Sequence, residues 1–384
     1  MKKTKPANRL FGVEYSRKLD VAHSQPFDVR YIKNTNIKTG KTLYIRVIMN
    51  LKINKAVTGE NVESTTRELR ILLYLAISRS PGQKARGYPC LLLLLSGGIA
   101  VEPLVLDGKL VASEVKESLK SRVEGLKEKG ITPCLATVLV GDDPSSATYV
   151  KMKGNACAKI GMESRRIHLP KETTTNELLD MIQELNDDSS VHGILLQHPV
   201  PHHIDERAAF EAISIEKDVD GVTSHGFGQN SLGFGEYPSC TPAAIMSIID
   251  YYDVTLEGKH AVVVGRSPIL GKPVSMMLLN RNATVTTCHS YTENLPDILA
   301  SADIVVAAVG KPNFIQGNWI KEGAVVLDAG YNKGNVGDID YEACYEKAGA
   351  ITPVPGGVGP VTISMLLKQT VDSAEKYGCV PQNA

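Results

Sequence analysis

The fold is decided by the stretch His260-Ala-Val-Val-Val-Gly265-Arg-Ser-Pro-Ile-Leu-Gly-Lys-Pro273. Its first part is a mostly apolar run typical of a buried parallel strand, and Gly265 then opens a tight turn into a helical pattern. Similar runs at residues 283–287, 303–308 and 324–328 alternate with helical segments. This alternation predicts a parallel sheet that is covered by helices on both faces.

A second alternation begins upstream, near Leu104. Apolar residues at helical spacing predict a helix over 107–129, and the run Cys134–Val140 predicts a buried strand. We expect a further helix, capped by Ser145 or Ser146, to run to about residue 160. The remaining predicted elements are strands at 166–169 and 191–197 and helices at 177–186, 242–252 and 361–377. The sequence therefore predicts two α/β domains.

Residues 1–100 differ from the rest of the chain in charge and in texture. They hold 18 Lys and Arg against 6 Asp and Glu, a net charge of +12, and the remainder carries −12. The acidic remainder argues against broad nucleic-acid binding. Since no strand–helix alternation is sustained in this segment, we predict an N-terminal extension that is not a functional domain.

We hypothesise that this extension reflects a mis-assigned start. Val101 would then be a GUG start codon, and Gly97-Gly98 would be a translated ribosome-binding site. The alternatives are a cleaved organelle presequence and a genuine basic arm.

Run lengths and cysteine spacing exclude other classes of protein. The longest apolar runs, 71–77 and 90–95, are much shorter than the roughly 18 residues that a membrane-spanning helix needs. No two cysteines form a Cys-x-x-Cys pair, so we expect neither a disulfide framework nor a metal site. Free thiols are typical of a reducing compartment, and we predict a cytoplasmic protein. The cysteines are Cys90, Cys134, Cys157, Cys240, Cys288, Cys344 and Cys379.

A first candidate site lies on the predicted helix after residue 145. Ser146, Tyr149 and Lys153 are spaced by three and four residues, which places them on one helical face. A phenol one turn from a lysine of lowered pKa suits proton transfer. The alternative is an ordinary amphipathic helix. Tyr-x-x-x-Lys also occurs in short-chain dehydrogenases, but there it follows the glycine-rich turn, whereas here it precedes Gly265.

Two further polar residues are candidates. Gln197 ends an apolar strand, at the edge of an α/β sheet where ligands bind, or else it satisfies loop backbone groups. Asp220 lies in the acidic turn 216–221. Its carboxylate would accept two hydrogen bonds from an amidine-like heterocycle edge such as a pterin, and a solvated surface turn is the alternative.

The turn at Gly265 and a later loop indicate ligand binding. A strand, a glycine turn and a helix direct backbone N–H groups at a phosphate. The next strand ends in Cys288-His289-Ser290, without the carboxylate that NAD enzymes place on the ribose. Arg266 and Ser290 suit a 2′-phosphate instead, so we predict NADP, with a structural turn as the alternative. The glycines of residues 353–362 let a flat ligand approach the backbone, or they form a hinge between domains.

Taken in this order, the segments resemble the bifunctional methylenetetrahydrofolate dehydrogenase/methenyltetrahydrofolate cyclohydrolase family. The resemblance covers residues 103–377, essentially everything outside the N-terminal extension. The motifs that carry it are Ser146-x-x-Tyr149-x-x-x-Lys153, Gln197-x-Pro199, Lys217-Asp-Val-Asp220-Gly, Cys240-Thr-Pro242, Gly265-Arg-Ser-x-x-x-Gly271-x-Pro273, Asp328-x-Gly-x-Asn332 and Pro353-Val-Pro-Gly-Gly-Val-Gly-Pro-x-Thr362.

The resemblance implies a domain organisation and partners. An N-terminal α/β catalytic domain of residues 101–241 and 360–379 is expected beside a Rossmann-like NADP-binding domain of residues 242–359, with the folate cleft between them. A homodimer is expected, and neither a nucleic acid nor a membrane is an expected partner. The implied setting is one-carbon metabolism, which serves purine, methionine and histidine biosynthesis.

The resemblance also implies an activity and residue roles. 5,10-Methylenetetrahydrofolate is oxidised with NADP+, and the methenyl product is hydrolysed to 10-formyltetrahydrofolate. Lys153 is the expected general acid/base, Gln197 its hydrogen-bonding partner, Tyr149 the residue that stacks on the folate and Asp220 the one that holds the pterin. The other expected substrate-binding residues are Ser146, Pro355, Gly356, Gly357, Gly359 and Pro360, and the cofactor-binding residues are Gly265, Arg266, Ser267, Ser290 and Tyr331.

Two residues depart from the family pattern. His198 stands where the family commonly has Leu in Gln-Leu-Pro, and Tyr331 stands where it often has Ile. Neither change removes a named catalytic group, so we expect the balance of the two activities, rather than the chemistry, to depend on them.

Overall fold

The computed structural model describes residues 102–378, except the Ser145 side chain, and in the N-terminal extension only the backbone of four strands. These strands pair antiparallel in chain order. They are β1 (Val13–Leu19), β2 (Phe27–Lys33), β3 (Ile45–Asn50) and β4 (Glu68–Leu69). The predictions for Gly97-Gly98, for Val101 and for the start of the chain lie outside the described residues.

Two parallel sheets organise residues 102–378. Their strands are β5 (Leu104–Val105), β6 (Cys134–Val140), β7 (Glu163–Leu169), β8 (Gly193–Leu196), β9 (His260–Val264), β10 (Thr284–Cys288), β11 (Ile304–Ala307), β12 (Val325–Asp328) and β13 (Ala350–Ile351). The smaller sheet has the order β7-β6-β8 and the larger has the order β10-β9-β11-β12-β13-β5. Every neighbouring pair in both sheets is parallel, as the apolar runs predicted.

The helices alternate with these strands. They are α1 (Gly108–Glu128), α2 (Pro144–Lys159), α3 (Thr175–Asp187), α4 (Glu206–Glu211), α5 (Ser224–Ser231), α6 (Cys240–Tyr251), α7 (Gly271–Asn280), α8 (Leu295–Ala300), α9 (Tyr341–Tyr345) and α10 (Val358–Tyr377). Single 3₁₀ turns lie at Ile215–Lys217 and Gly317–Trp319. The predicted strands at 134–140 and 260–264 are confirmed in full, and the other predicted elements are confirmed with shifted ends.

One local prediction is wrong, and one strand lies in an unexpected place. Asp143, not Ser145 or Ser146, caps α2: its carboxylate accepts from the Ser146 amide, and Pro144 fills the first turn, where its missing donor costs nothing. β5 falls in the range predicted for the catalytic domain, yet it pairs with β13 in the larger sheet.

A continuous core joins the two sheets. Helix α10 packs against both α1 and α6, and fully buried residues of these helices, such as Leu119, Ile245 and Leu367, belong to one cluster. The same cluster includes Leu195 from the smaller sheet and Val263 from the larger one. Separate clusters fill the other face of each sheet. The shared core fixes the position of the two lobes, each built on one sheet.

Membrane and cysteine predictions are tested within this range. No helix among residues 102–378 is long and apolar enough to cross a bilayer. The cysteines described there are buried free thiols, and burial raises the pKa of Cys157, for example, to about 12. Cys90 and Cys379 lie outside the described residues.

Candidate active site

Helix α2 and strand β8 bring two of the predicted site residues into contact. Lys153 on α2 donates from Nζ to Oε1 of Gln197, which directly follows β8, at 3.1 Å. The Nε2 group of Gln197 donates to the His198 carbonyl at 2.8 Å. This second bond turns the amide oxygen toward the lysine, so buried Gln197 both holds its own loop and binds Lys153.

The environment of Lys153 suits proton transfer. Burial lowers the pKa of this lysine below its usual value of 10.5, and the neighbouring Asp220 and Cys240 side chains act in the opposite direction. A lysine of lowered pKa is neutral more of the time near neutral pH, so it accepts and returns protons. The contact with Gln197 and the nearby carboxylate favour the catalytic interpretation of α2 over an ordinary amphipathic helix.

The acidic turn at residues 216–221 contains both structural residues and a site residue. Lys217 donates to carbonyls near the end of α3. The buried Asp218 carboxylate closes the turn by accepting from the Val222 and Thr223 amides at 2.9 and 3.0 Å. Asp220 is the member close to Lys153: burial raises the pKa of Asp220, and the lysine opposes that rise. The turn is therefore not merely a solvated loop.

Cys240, the first residue of α6, is a neighbour of this cluster that spacing arguments did not identify. Its Sγ lies 3.3 Å from the Val219 carbonyl, and its hydrogen bond to Asp220 lowers the pKa of that carboxyl. Burial raises the pKa of the thiol well above 9.0, so it acts as a neutral donor. Its place in the Cys-Thr-Pro motif was the only signal in the sequence.

Two tyrosine rings, one from each lobe, are in contact. Tyr149 on α2 and Tyr331, after β12 of the larger sheet, form an edge-to-face contact with centroids 6.1 Å apart. Burial raises the pKa of Tyr149, and Tyr331 adds to that rise. Ser146 is buried one turn before Tyr149. Tyr331, predicted to bind cofactor, thus lies beside a predicted folate residue.

The turn after β9 fits a dinucleotide. Gly265 has a φ of 131°, and a Cβ there would meet the Ala308 carbonyl oxygen at 2.1 Å, so only glycine fits. The Ser267 hydroxyl accepts from the Gly271 amide at the start of α7. Arg266 and Ser290 are both exposed at this edge, and the Arg266 guanidinium lies 5.7 Å from the centre of the Tyr291 ring.

The proline–glycine loop packs on the start of α1. A Cβ on Gly108 would meet the Gly357 carbonyl oxygen at 1.8 Å, so the two backbones touch. Gly356 has a φ of 114° and lies against the Lys109 side chain. The exposed residues of the loop are Pro355 and Gly359, and Pro360 is partly exposed. The loop thus contacts α1 through its backbone, and its contact with folate stays a prediction.

Two buried aspartates hold the loops at this edge of the larger sheet. The sequence analysis assigned neither of them a role. Asp328, at the end of β12, accepts from the Gly330, Asp338 and Ile339 amides. Asp338 accepts from the Val309 and Gly310 amides at 2.6 and 2.8 Å. Burial raises the pKa of Asp328 to about 6. Among residues 102–378, no group of His, Cys, Asp and Glu is arranged to hold a metal ion.

A lysine–amide–carboxylate cluster lies on one α/β lobe, and a strand–glycine–helix turn of the kind that binds nucleotides lies on the other. This combination is typical of a nucleotide-dependent enzyme with a proton-transfer site. The chain belongs to the tetrahydrofolate dehydrogenase/cyclohydrolase family. The model of that family's catalytic domain matches residues 106–220, and the model of its NAD(P)-binding domain matches residues 239–378.

Curated relatives and solved structures agree with this assignment. Bifunctional protein FolD of Shouchella clausii is 72% identical over 275 residues, which are 72% of this chain and 99% of that protein. The FolD of Cellvibrio japonicus is 64% identical, over 71% of this chain and 98% of that protein. The crystal structure of FolD from Campylobacter jejuni matches with a TM-score of 0.70 and 46% identity, over 71% of this chain and 98% of that chain.

A further solved structure carries a cofactor. The Trypanosoma brucei methylenetetrahydrofolate dehydrogenase-cyclohydrolase, complexed with NADP and an inhibitor, matches with a TM-score of 0.71 and 37% identity, over 73% of this chain and 100% of that chain. The present chain is accordingly a bifunctional enzyme of folate one-carbon metabolism. It oxidises 5,10-methylenetetrahydrofolate and hydrolyses 5,10-methenyltetrahydrofolate.

Proposed function

We propose that Lys153 is the general acid/base of the hydrolysis and that Gln197 and Asp220 set its position and its pKa. The observation that carries this proposal is the 3.1 Å bond from the Lys153 Nζ to Gln197, on a lysine whose pKa burial lowers. Lys153 accepts a proton from the water that attacks the methenyl carbon. It then donates a proton to the ring nitrogen as the bond from that nitrogen to the carbon breaks, and the carbinol proton leaves to solvent.

The oxidation needs positioning more than acid or base. The two nitrogens that flank the methylene carbon stabilise the cation left by hydride loss. When bound, NADP+ supplies the nicotinamide that accepts this hydride. Tyr149 stacks on the folate, Asp220 accepts from the pterin edge, and Ser146 lines the same face of α2. The loop residues Pro355, Gly356, Gly357, Gly359 and Pro360 complete the folate site.

NADP is the cofactor of the oxidation. Gly265 and Ser267 form the turn that faces the phosphates, where the absence of a side chain on Gly265 lets the backbone approach. Arg266 and Ser290 bind the 2′-phosphate, and their exposure at the edge of the larger sheet supports this role. Tyr331, beside Tyr149, closes the cofactor site on the folate side.

The domain boundaries and the assembly are also proposals. Residues 101–241 with 360–379 form the folate-binding domain, apart from β5, and residues 242–359 form the NADP-binding domain. The protein acts as a homodimer in the cytoplasm. Sedimentation of the purified protein would measure the assembly.

Purified enzyme tests the function directly. It should reduce NADP+ in the presence of 5,10-methylenetetrahydrofolate, seen as absorbance of NADPH, and it should hydrolyse the 5,10-methenyl form. The rival class is a nucleic-acid-binding protein with a basic arm, supported only by the +12 charge of residues 1–100. Salt-dependent binding to nucleic acid with neither reaction present would favour the rival.

A further inference from the structure

The turn that carries Asp220 is held by a side chain from the last helix. Gln369 on α10 is buried, and its Nε2 lies 2.7 Å from the Val219 carbonyl, 3.1 Å from the Pro238 carbonyl and 3.3 Å from the Cys240 Sγ. One amide nitrogen on α10 thus contacts both the Asp220 turn and the start of α6, which lie 129 to 150 residues earlier in the chain. Nothing in the proposed mechanism uses this residue.

Each backbone carbonyl around Asp220 has its own donor. The Val219 carbonyl accepts from Gln369, the Asp220 carbonyl accepts from the Cys240 amide at 3.3 Å, and the Gly221 carbonyl accepts from the Ser239 hydroxyl at 2.6 Å. Of these three donors, Gln369 is the one that comes from another helix rather than from the start of α6. It therefore sets where the whole turn lies relative to α10.

Gln369 also acts on the Cys240 thiol. Its N–H donates to Sγ, so the thiol hydrogen points away from Gln369. The acceptors near the thiol are the Val219 carbonyl, to which it donates at 3.3 Å, and the Asp220 carboxylate. Gln369 thereby supports both the backbone of Asp220 and the hydrogen bond that its carboxylate accepts.

We propose that Gln369 is a positioning residue that holds Asp220 at its working distance from Lys153 and from the pterin. This inference rests on the roles proposed for Lys153 and Asp220, and it adds a residue from α10 to the folate site. Because Asp220 keeps the Lys153 pKa from falling further, displacement of the turn should affect both folate binding and the titration of the lysine.

The test is the variant Gln369→Met, which keeps the length of the side chain and removes its donors. Loss of a buried hydrogen bond predicts a folate KM raised about two- to tenfold in both reactions, with the KM for NADP+ unchanged. The kinetic pKa of hydrolysis assigned to Lys153 should move down, in the same direction as in Asp220→Asn. In the double variant Gln369→Met/Asp220→Asn, the folate KM should not exceed that of Asp220→Asn alone, because the two substitutions disrupt the same interaction.

A neighbouring variant controls for burial alone. Thr370 is buried next to Gln369, and its hydroxyl donates within the helix to the Leu366 carbonyl at 2.8 Å. Thr370→Val should lower the melting temperature without moving the folate KM or the kinetic pKa. If Gln369→Met does not fold, the folate KM and the kinetic pKa are measured for Gln369→Asn instead. This variant keeps a donor, but on a shorter side chain.

The outcomes separate this inference from the function on which it rests. A raised KM in Asp220→Asn together with a wild-type KM and pKa in the Gln369 variants would overturn the inference alone. A wild-type KM in Asp220→Asn would overturn the role of Asp220 and the inference with it. A Gln369 variant that loses stability to the same extent as Thr370→Val and nothing else would show a purely structural residue.

Discussion

Lys153 is the residue at which the two activities of the enzyme should separate. Lys153→Met replaces the amine by an apolar chain of similar length, so we expect hydrolysis of the methenyl form to be abolished while the fold is kept. Oxidation should survive in part, because hydride departure needs no base. In the wild type, the pH–rate profile of hydrolysis should report a group with a pKa below 10.5, the direction set by burial.

Lys151→Met is the matched control for this prediction. Lys151 lies on the same helix with its side chain exposed, so both activities should stay at wild-type rates. Circular dichroism melts of both variants check that the fold is intact. Hydrolysis by Lys153→Met at a near wild-type rate would contradict the assignment.

Arg266 should decide the choice between cofactors. A charge-assisted contact to the 2′-phosphate stabilises binding by about 1.5–3 kcal/mol, so Arg266→Ala should raise the KM for NADP+ roughly ten- to hundredfold. The KM for NAD+ should change little, since NAD+ lacks that phosphate. Arg281→Ala, at the far end of α7, removes an exposed cation that pairs with Asp250 and serves as control. Equal losses for both cofactors would show that Arg266 does not bind the 2′-phosphate.

The sequence indicated candidate site residues, whose roles stay predictions, but it could not indicate all of the contacts among them. Helical spacing put Tyr149 and Lys153 on one face, and the end of an apolar strand marked Gln197, because both signals are local. Cys240 and Gln369 meet the Asp220 turn only through tertiary packing of α6 and α10. No period or spacing in the chain connects those segments, so sequence reasoning could not place them together.

At the level of elements, Asp328 should make the stability of the loops of the larger sheet depend on pH. Burial raises the pKa of Asp328 to about 6 from its usual 3.8, so the folded state binds this proton more tightly than the unfolded state. Its contribution to stability is therefore complete below the unfolded pKa and is lost as pH rises through about 6. We expect Asp328→Asn to be destabilised more at pH 5 than at pH 7, by about 1 kcal/mol.

Urea unfolding of both proteins at the two pH values measures this difference. Other carboxylates, such as Asp303 with its lowered pKa, are common to both proteins and cancel in the comparison. A deficit of Asp328→Asn that grows from pH 5 to pH 7 would contradict the prediction. It would mean that the three amide donors stabilise the Asp328 carboxylate more than burial destabilises it.

Elements of regular period were predictable, and short ones were not. Helix α1 and strands β6 and β9 carry enough periodic or apolar residues to be located from the sequence. Strands β5 and β13 have two residues each, too few to show any alternation, and they exist because the edge of the larger sheet pairs with them. The Asp143 cap was missed because a serine and an aspartate are almost equally good caps.

On the scale of the whole molecule, the family match leaves the N-terminal extension without an assigned part. The matched domains begin at residue 106, and the relative from Shouchella clausii is covered almost entirely by 275 residues of this chain. These facts support the prediction that residues 1–100 do not contribute to either activity.

Two truncations test that prediction and locate the start of the enzyme. Removal of residues 1–100 keeps β5 and the fully buried Leu106, so we expect both activities and the melting temperature to match those of the full chain. Removal of residues 1–106 deletes the strand that pairs with β13 and opens a cavity at Leu106, which costs about 2–5 kcal/mol for a buried leucine. The shorter protein should therefore melt at a lower temperature.

Intact mass of the protein from its native source measures where the chain begins. Lost activity on removal of residues 1–100, together with a native chain that begins at Met1, would show that the extension is a working part of the enzyme.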